Sequence, residues 1–282
     1  MRRNVENAVF DEERALYNLT EACVTACTFA GEADGESALK EARDVNVDRC
    51  QFELRYPMWH VSRFELKDSV MTESCRAPLW YSSDGIITGS TLNGIKTLRE
   101  CNGIKIQNCN IASSEFGWKC HNISLNNMSI QSEYLFLDST DVDISDIEMK
   151  GKYSFQYMKN VTIENSVLDT KDAFWHSENV VVKNSSVKGE YLGWYSNGLT
   201  LINCVITGTQ PLCYCKNLKL IDCVMIGCDL AFEYSEVDAE IEGIIDSVKN
   251  PKSGHITADK IGEIILDDSV MECNAEITEK EA

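Results

Sequence analysis

Side chains of the types needed for acid, base or electrostatic catalysis recur in this sequence at one fixed interval. Glu100, Lys119 and Asp138 follow one another every nineteen residues. If each interval is one turn of a stacked parallel sheet, the two carboxylates lie ~10 Å apart at Cα, because neighbouring strands are ~4.8 Å apart. Their side chains can then approach the about 6.5–9.5 Å that separates the carboxyl groups of an inverting glycosidase. The spacing is compatible with glycoside hydrolysis.

A second set of groups suits the proton abstraction that a lyase performs. Asp172 and His176 are candidates for the acid or the base, as are Glu100 and Asp138, with Tyr157 as a further candidate, and Arg99 and Lys119 can stabilise charge. Lys119 favours the charged forms of both neighbouring carboxylates, which does not suit a general acid. A ladder of Glu, Lys and Asp also arises from ordinary charge pairing between neighbouring strands. The catalytic and the purely electrostatic interpretations both stay open.

Aromatic side chains occupy the same two positions of the interval as these charged groups. Aromatic rings bind the apolar faces of sugars, while polar tips hold the hydroxyl groups. We therefore predict a stripe that binds an oligosaccharide, with no cofactor and no metal ion. Its predicted lining residues are His60, Tyr81, Trp118, Tyr157, Trp175, Trp194, Tyr195, Tyr214 and Glu233.

A nineteen-residue repeat must position these side chains. An apolar residue begins each copy and a second follows two residues later, so both lie on one face of a strand. The period is too short for a βαβ unit and suits a solenoid of short strands. The pattern predicts an all-β, single-stranded, right-handed parallel β-helix of about eleven coils. The starting positions are Ile104, Ile123, Val142, Val161, Val180, Leu199 and Leu218.

A column of Asn and Asp marks a corner of each coil. These side chains tolerate the left-handed backbone conformation that a sharp bend requires, and their amides can form hydrogen bonds from coil to coil. The column predicts a bend directly after the first strand. Its members are Asn108, Asn127, Asp146, Asn165, Asn184, Asn203 and Asp222.

The third strand of each coil leaves its outward face undecided. The tryptophan column and the polar column after it are neighbours in sequence, so a regular strand points them to opposite faces, whereas a bulge exposes both. With the polar column outward, the residues two positions before it form an exposed apolar stripe. That stripe comprises Met58, Leu79, Leu98, Phe136, Phe155, Phe174 and Leu212.

The repeat predicts one domain over residues 1–282. Residues 1–21 form an N-terminal cap, 22–236 the coils, and 237–282 irregular C-terminal coils and a tail. The segment from Phe10 to Leu19 has apolar residues at helical spacing, which predicts a short capping helix over the open first coil. The coil that begins at Phe64 is stretched to twenty-one residues.

The composition of the chain indicates which classes of binding partner and which cellular compartment to expect. The formal net charge of −19 disfavours nucleic-acid phosphates and anionic membranes. Neither a membrane span nor a signal peptide is apparent, so we expect a cytoplasmic protein. Thirteen cysteines fit buried thiols in a reducing compartment, better than a disulfide between Cys204 and Cys223. Cys213 and Cys215 with Cys228 lack the further ligands of a metal site.

Several strings of the chain are too long to arise from the repeat alone, namely ERALYNL, LRYPMWH, GKYSFQY, TKDAFWH, GEYLGWYS, GTQPLCYC, LAFEYS and NPKSG. They resemble one bacterial family, the domain-of-unknown-function family 3737. The resemblance covers nearly the whole chain and implies a right-handed single-stranded β-helix similar in shape to pectate lyases. It implies no established activity and no catalytic residues, and a shared fold hosts many functions.

Three functional hypotheses follow. The first is a carbohydrate-active enzyme of the glycoside hydrolase or lyase type, and the second is a non-catalytic scaffold that binds a carbohydrate or a protein. The third is an acidic rod that mimics DNA, although the five-residue sub-repeat expected for it is absent. Convergence of the carboxylates in one cleft separates the first hypothesis from the second.

Overall fold

The computed structural model describes residues 3–32 and 36–281. These residues form two compact units, unit 1 (Met1–Asp143) and unit 2 (Ile144–Ala282). Each unit is an all-β parallel solenoid, and the chain makes about 14 turns. The one helical segment among the described residues is a 3-10 turn, Glu73–Cys75.

The strands of the first half follow one another in short groups, one group to a turn. They are β1 (Arg3–Glu6), β2 (Val9–Phe10), β3 (Thr20–Thr25), β4 (Thr28–Phe29), β5 (Arg43–Asp48), β6 (Gln51–Phe52), β7 (Met58–Trp59), β8 (Ser62–Lys67), β9 (Val70–Met71), β10 (Leu79–Trp80), β11 (Ser83–Thr88), β12 (Thr91–Leu92), β13 (Asn102–Gln107), β14 (Asn110–Ala112) and β15 (His121–Ser132).

The second half has longer strands towards its end. They are β16 (Thr140–Lys152), β17 (Lys159–Glu164), β18 (Val167–Lys171), β19 (Glu178–Lys183), β20 (Ser186–Lys188), β21 (Asn197–Ile202), β22 (Val205–Thr207), β23 (Leu218–Ile226), β24 (Glu236–Lys249), β25 (Ser253–Ile265) and β26 (Glu276–Glu279).

The apolar repeat sets the register of the sheet. Parallel pairing places Ile104 opposite Ile123 in unit 1 and Val161 opposite Val180 in unit 2. Because side chains alternate along a strand, the apolar column of every copy faces the interior. These residues are almost completely buried, so the predicted repeat and its register are confirmed.

Backbone polar groups at the corners are satisfied by buried Ser and Cys side chains. After the left-handed residue Asp68, the N–H of Ser69 donates to Ser90 Oγ of the next turn, at 3.1 Å. Ser69 Oγ in turn donates to the Lys67 carbonyl, at 2.7 Å. Since an unpaired buried N–H is costly, a small side chain with a hydroxyl or thiol is required here. The thirteen cysteines, all described, are free thiols and eleven of them are buried.

The predicted capping helix is wrong. Residues 3–19 form the first turn of the solenoid, and alternate backbone N–H groups of residues 14–18 donate to the next turn, while those of Tyr17 and Leu19 donate to Arg14 and Leu16. Arg14 and Asn18 donate to the carbonyls of residues 36 and 40. Both have left-handed backbone conformations, and Leu16 and Leu19 are buried at the corner. The helical spacing of apolar residues therefore reflects a corner that buries two side chains.

The predicted count of about eleven coils is also low. The first strand already pairs in register, with Val5 opposite Val24. Beyond residue 236, β24 and β25 pair in parallel although their register shifts between Ile241 and Ile244. The tail adds β26, in which Ile277 pairs with Ile256. Bulges change the residue spacing but leave the strand pairing intact. The nineteen-residue pattern therefore did not reveal these additional turns.

The predicted exposed apolar stripe is wrong, because all seven of its members are buried. In the coils of Leu98, Phe136, Phe155, Phe174 and Leu212, the stripe residue and the polar residue two positions later both have left-handed backbone conformations, whereas in the coils of Met58 and Leu79 only the later residue does. A strand with two such residues does not alternate its side chains regularly, so the first points inward and the second outward. Phe155 stacks on Phe174 inside unit 2 with ring centroids 5.1 Å apart.

This arrangement predicts very different costs for two neighbouring substitutions. Phe155→Ala empties a buried site and should lower the free energy of unfolding by about 3–5 kcal/mol. Tyr157→Ala removes one exposed ring from a stack and should cost about 0.5–1.5 kcal/mol. Urea denaturation measures both, and equal costs would contradict the inward placement of Phe155.

Candidate functional site

The third corner of each turn carries two adjacent columns of functional side chains. In the half-buried column lie Trp59, Trp80, Arg99 and Trp118 in unit 1 and Gln156, Trp175 and Trp194 in unit 2. In the outer column lie His60, Tyr81, Glu100, Lys119 and Asp138 in unit 1 and Tyr157, His176, Tyr195, Tyr214 and Tyr234 in unit 2. The outward face that the sequence left undecided is therefore shared by the two columns.

Arg99 is held inside the half-buried column of unit 1. Its guanidinium lies 5.3 Å from the ring centroid of Trp80 and 4.6 Å from that of Trp118. It also pairs with Glu115 at 3.2 Å. Cation–π contacts on both sides and an ion pair fix this side chain. The guanidinium of this predicted charge-stabilising residue thus lies between two tryptophan rings.

The indole N–H groups of the half-buried column donate to the backbone of the next turn. Trp59 Nε1 reaches the Ala77 carbonyl at 2.8 Å, and Trp118 Nε1 reaches the Tyr134 carbonyl at 2.9 Å. In unit 2, Trp175 Nε1 binds the Tyr191 carbonyl at 2.6 Å. These bonds hold the rings edge-on at the corner. Trp80 Nε1 differs, since it is buried and has no hydrogen-bond partner within the described residues.

Glu100, Lys119 and Asp138 occupy consecutive outer-column positions, as their spacing predicts. All three are exposed, and no salt bridge joins them within the part of the chain that the structure describes. The structure thus brings them side by side on an open surface. Neither of the cavities described below is lined by them.

The outer column of unit 2 is a continuous ring ladder. His176 lies between Tyr157 and Tyr195, with ring centroids 5.0 and 5.1 Å away and planes within 8° of parallel. The ladder continues through Tyr214 to Tyr234. The predicted base is therefore stacked between two tyrosine rings.

Glu233 lies beside the ladder and not in it. The outer-column place in its turn belongs to Tyr234, because the interval from Tyr214 is twenty residues instead of nineteen. Glu233 is half-buried and pairs with Lys249 at 2.9 Å. A one-residue insertion in this turn places the aromatic residue of the outer column at position 234 instead of 233. The nineteen-residue repeat therefore predicted the wrong residue.

Asp172 is the carboxylate of the predicted set with a buried environment. It follows β18 at a corner of unit 2, and only 10% of its side chain is exposed. Burial raises the pKa of the Asp172 carboxyl above its ordinary range, although Lys171, 4.0 Å away, opposes the shift. A carboxyl that stays protonated to higher pH suits a general acid.

A cavity of about 220 Å³ opens into the half-buried column of unit 1. Its lining residues are Tyr56, Trp59, Arg76, Ala77, Trp80, Ile95 and Lys96. The Tyr56 N–H donates to the Cys75 carbonyl and the Lys96 N–H to the Arg76 carbonyl, so Arg76 and Ala77 lie between Tyr56 and Lys96. One alanine between two long side chains therefore leaves room for a ligand. We call this cavity the Ala77 pocket.

Sequence reasoning predicted none of these pocket residues. The signal was the twenty-one-residue coil, which contains the 3-10 turn Glu73–Cys75 next to the pocket. Long turns in a regular solenoid are places where function is often found. Tyr56 and Lys96 occupy the same position of the repeat. The insertion changes the spacing between them, so Ala77 does not align with either residue in the sequence.

A second and larger cavity, of about 440 Å³, lies at a neighbouring corner of unit 1. Its surface is mostly polar, and Ile95 belongs to both cavities. We call it the polar groove. Its lining residues are Glu73, Asn93, Ile95, Ala112, Ser113, Ser114, Gln131, Ser132 and Glu133.

No helix among the described residues is long and apolar enough to cross a bilayer. Among residues 3–32 and 36–281, no three His, Cys, Asp or Glu side chains group as metal ligands.

Comparison with known proteins identifies a family. Residues 3–278 match the family described as "Protein of unknown function (DUF3737)". No curated protein matches the sequence.

The solved structures that resemble this chain are 9–14% identical to it in sequence. The periplasmic alginate epimerase AlgG is 11% identical, with 93% of this chain and 78% of that chain covered and a TM-score of 0.28. The plasmid-mediated fluoroquinolone resistance protein QnrB1 is 14% identical, with 72% and 82% covered and a TM-score of 0.22. Tailspike protein 3 of bacteriophage CBA120 is 10% identical, with 98% and 51% covered and a TM-score of 0.22. TM-scores this low do not bear on function.

The buried Asp172 predicts a pH-dependent gain from its neutral analogue. Because its pKa is raised in the folded state, the folded protein binds this proton more tightly than the unfolded chain. Stability is therefore lost as pH rises from the ordinary aspartate pKa through the raised one. Asp172→Asn should raise the melting temperature at pH 7, and the gain should vanish below about pH 4.

Melting curves between pH 3 and pH 8 measure this effect. Asp169→Asn is the matched control, because Asp169 lies three residues earlier, is more exposed and pairs with Lys188. A gain for Asp172→Asn that is the same at every pH would contradict the raised pKa.

Proposed function

Because this chain belongs to the DUF3737 family of proteins of unknown function, we propose a function from its own surface, namely the binding of a carbohydrate by unit 1. The ligand lies in the Ala77 pocket and extends into the polar groove. The observation that carries the proposal is the adjacency of an aromatic cavity and a polar one, which share Ile95.

The Ala77 pocket supplies the apolar half of the recognition. Tyr56 and Trp59 contact each other with ring centroids 4.7 Å apart and planes tilted by 38°. Trp59 and Trp80 stack at 4.9 Å. Such fixed rings present rigid apolar surface, which suits the C–H faces of a sugar ring and costs little conformational entropy on binding.

The polar groove supplies the hydrogen bonds. Hydroxyl and carboxamide groups of Asn93, Ser114 and Gln131 can donate to and accept from sugar hydroxyls. Ile95 and Ala112 give it an apolar floor. Its volume of about 440 Å³ lies in the range of small-molecule sites.

The geometry of unit 1 favours binding over cleavage. The two carboxylates of the polar groove, Glu73 and Glu133, lie three turns apart, so their Cα atoms are ~14 Å apart at the ~4.8 Å strand spacing. The carboxyl groups of inverting glycosidases lie about 6.5–9.5 Å apart. The aromatic pocket itself has no acidic lining residue.

Filling the gap in the column tests the proposal. Ala77→Tyr should place a ring where the sugar lies and weaken binding at least tenfold, and Trp59→Ala should weaken it by a similar factor through loss of the aromatic surface. A glycan array of neutral and acidic oligosaccharides identifies a ligand, and isothermal titration calorimetry measures its affinity.

A further variant serves as the control for this experiment. Tyr157→Ala removes a ring of the outer column in unit 2 and should leave the affinity unchanged. Circular dichroism confirms that each variant is folded. Undiminished binding by folded Ala77→Tyr would place the ligand elsewhere, and an array without any bound glycan would overturn the proposal.

A second candidate function is glycoside hydrolysis in unit 2, favoured by the raised pKa of Asp172. Here Asp172 is the general acid, at a corner whose neighbouring turns carry Tyr153 and Tyr191. Mass spectrometry of oligosaccharides incubated with wild type and with Asp172→Asn tests it. Products formed by wild type alone would establish cleavage, and intact substrate with both would leave binding as the activity.

A further inference from the structure

Arg76, at the edge of the Ala77 pocket, has an unusual backbone. Its φ of 55° and ψ of −74° lie outside the left-handed helical region that the other corner residues use, near the rare γ-turn conformation. The conformation is held from both sides, because the Arg76 N–H donates to Glu73 at 3.1 Å and its carbonyl accepts from Lys96 at 2.7 Å. Strained non-glycine residues cluster at binding sites, where a side chain must be placed against local preference.

The charge of Arg76 is uncompensated. Within the described residues it forms no ion pair, whereas neighbouring cations do. Lys96 and Arg99 both contact Glu115, at 3.6 and 3.2 Å, and Arg55 binds Glu36 at 2.8 Å. The pocket that it lines contains two cations and no acidic residue.

The same pocket holds a buried donor without an acceptor. By the pattern of the column, Trp80 Nε1 should donate to the carbonyl sixteen residues later, as Trp118 does. It instead has no partner within the part of the chain that is described. A buried N–H without an acceptor is unfavourable, and a ligand oxygen that reaches it would remove that cost.

We infer that the Ala77 pocket binds the anionic group of an acidic sugar, and that Arg76 is the residue that recognises it. This inference rests on the proposed carbohydrate function. The planar guanidinium pairs with a carboxylate through two hydrogen bonds. Trp80 Nε1 supplies a further donor, and Tyr56 and Trp59 pack on the sugar ring. The expected ligand is therefore an oligosaccharide that contains a uronic acid.

Esterification of the sugar carboxylate isolates the charge. The probes are tri-galacturonate, its methyl ester, a trisaccharide of galactose and its sulfated form, and calorimetry measures the affinity of each. Wild type should bind tri-galacturonate at least tenfold more tightly than the methyl ester. Arg76→Gln should lose that preference, while Arg49→Gln should retain it. Arg49 is exposed, pairs with Asp48 and lies outside the pocket.

The strain at Arg76 supplies a second readout that a purely structural arginine would not give. Arg76→Gly removes the side chain and suits the backbone conformation, so it should abolish the preference for the acidic sugar and raise the melting temperature by about 2–4 °C. Arg76→Lys should retain part of the preference, because the charge remains but the paired hydrogen bonds do not.

The outcomes separate this inference from the function on which it rests. Equal binding of the acid and its ester by wild type, or an unchanged preference in Arg76→Gln, would overturn the role of Arg76 while carbohydrate binding stands. Preference for the sulfated probe would overturn the assignment to a carboxylate. Failure of all four sugars, with an empty glycan array, would overturn the proposed function itself.

Discussion

Each turn of this protein must bend at three corners within about nineteen residues without leaving a buried backbone N–H unpaired. The rest of the structure depends on that constraint. A left-handed residue makes the bend and breaks the hydrogen-bond ladder, and a hydroxyl or thiol from the next turn restores it. Ser139 Oγ accepts from the Cys120 N–H at 2.9 Å in unit 1, and Ser235 Oγ accepts from the Cys215 N–H at 2.9 Å in unit 2. The columns of small Ser and Cys residues are thus a requirement of the corners.

The same constraint produces the functional surface. At the third corner of most turns, as around Gln156, two left-handed residues flank one half-buried residue, so the first side chain is buried, the second half-buried and the third exposed. Rings placed there stack from turn to turn and expose their edges, and Trp N–H groups satisfy carbonyls that the bend leaves open. A surface of this kind is rigid before any ligand arrives. Where one turn replaces a long side chain with Ala77, the rigid stack acquires a cavity.

The sequence predicts the fold well because the repeat is regular at the positions where core burial and the corner bends restrict the residue type. Ile104 and its equivalents face the core in register, and Asn108 and Asn127 have left-handed conformations joined by an amide hydrogen bond of 2.6 Å. Spacing cannot predict where side chains point once two left-handed residues interrupt a strand, as at Phe155. It also cannot predict a pocket that an insertion creates, so Arg76 and Ala77 were missed. The predicted catalytic residues lie at the corners of the turns, and none of them lines the Ala77 pocket or the polar groove.

A crystal structure of the protein with a bound oligosaccharide tests the central claim most directly. The account predicts electron density for a sugar ring between Tyr56 and Lys96, over Ala77 and within reach of Arg76, and for further sugar units in the polar groove. Density for the sugar along the ring ladder of unit 2, with an empty Ala77 pocket, would contradict it.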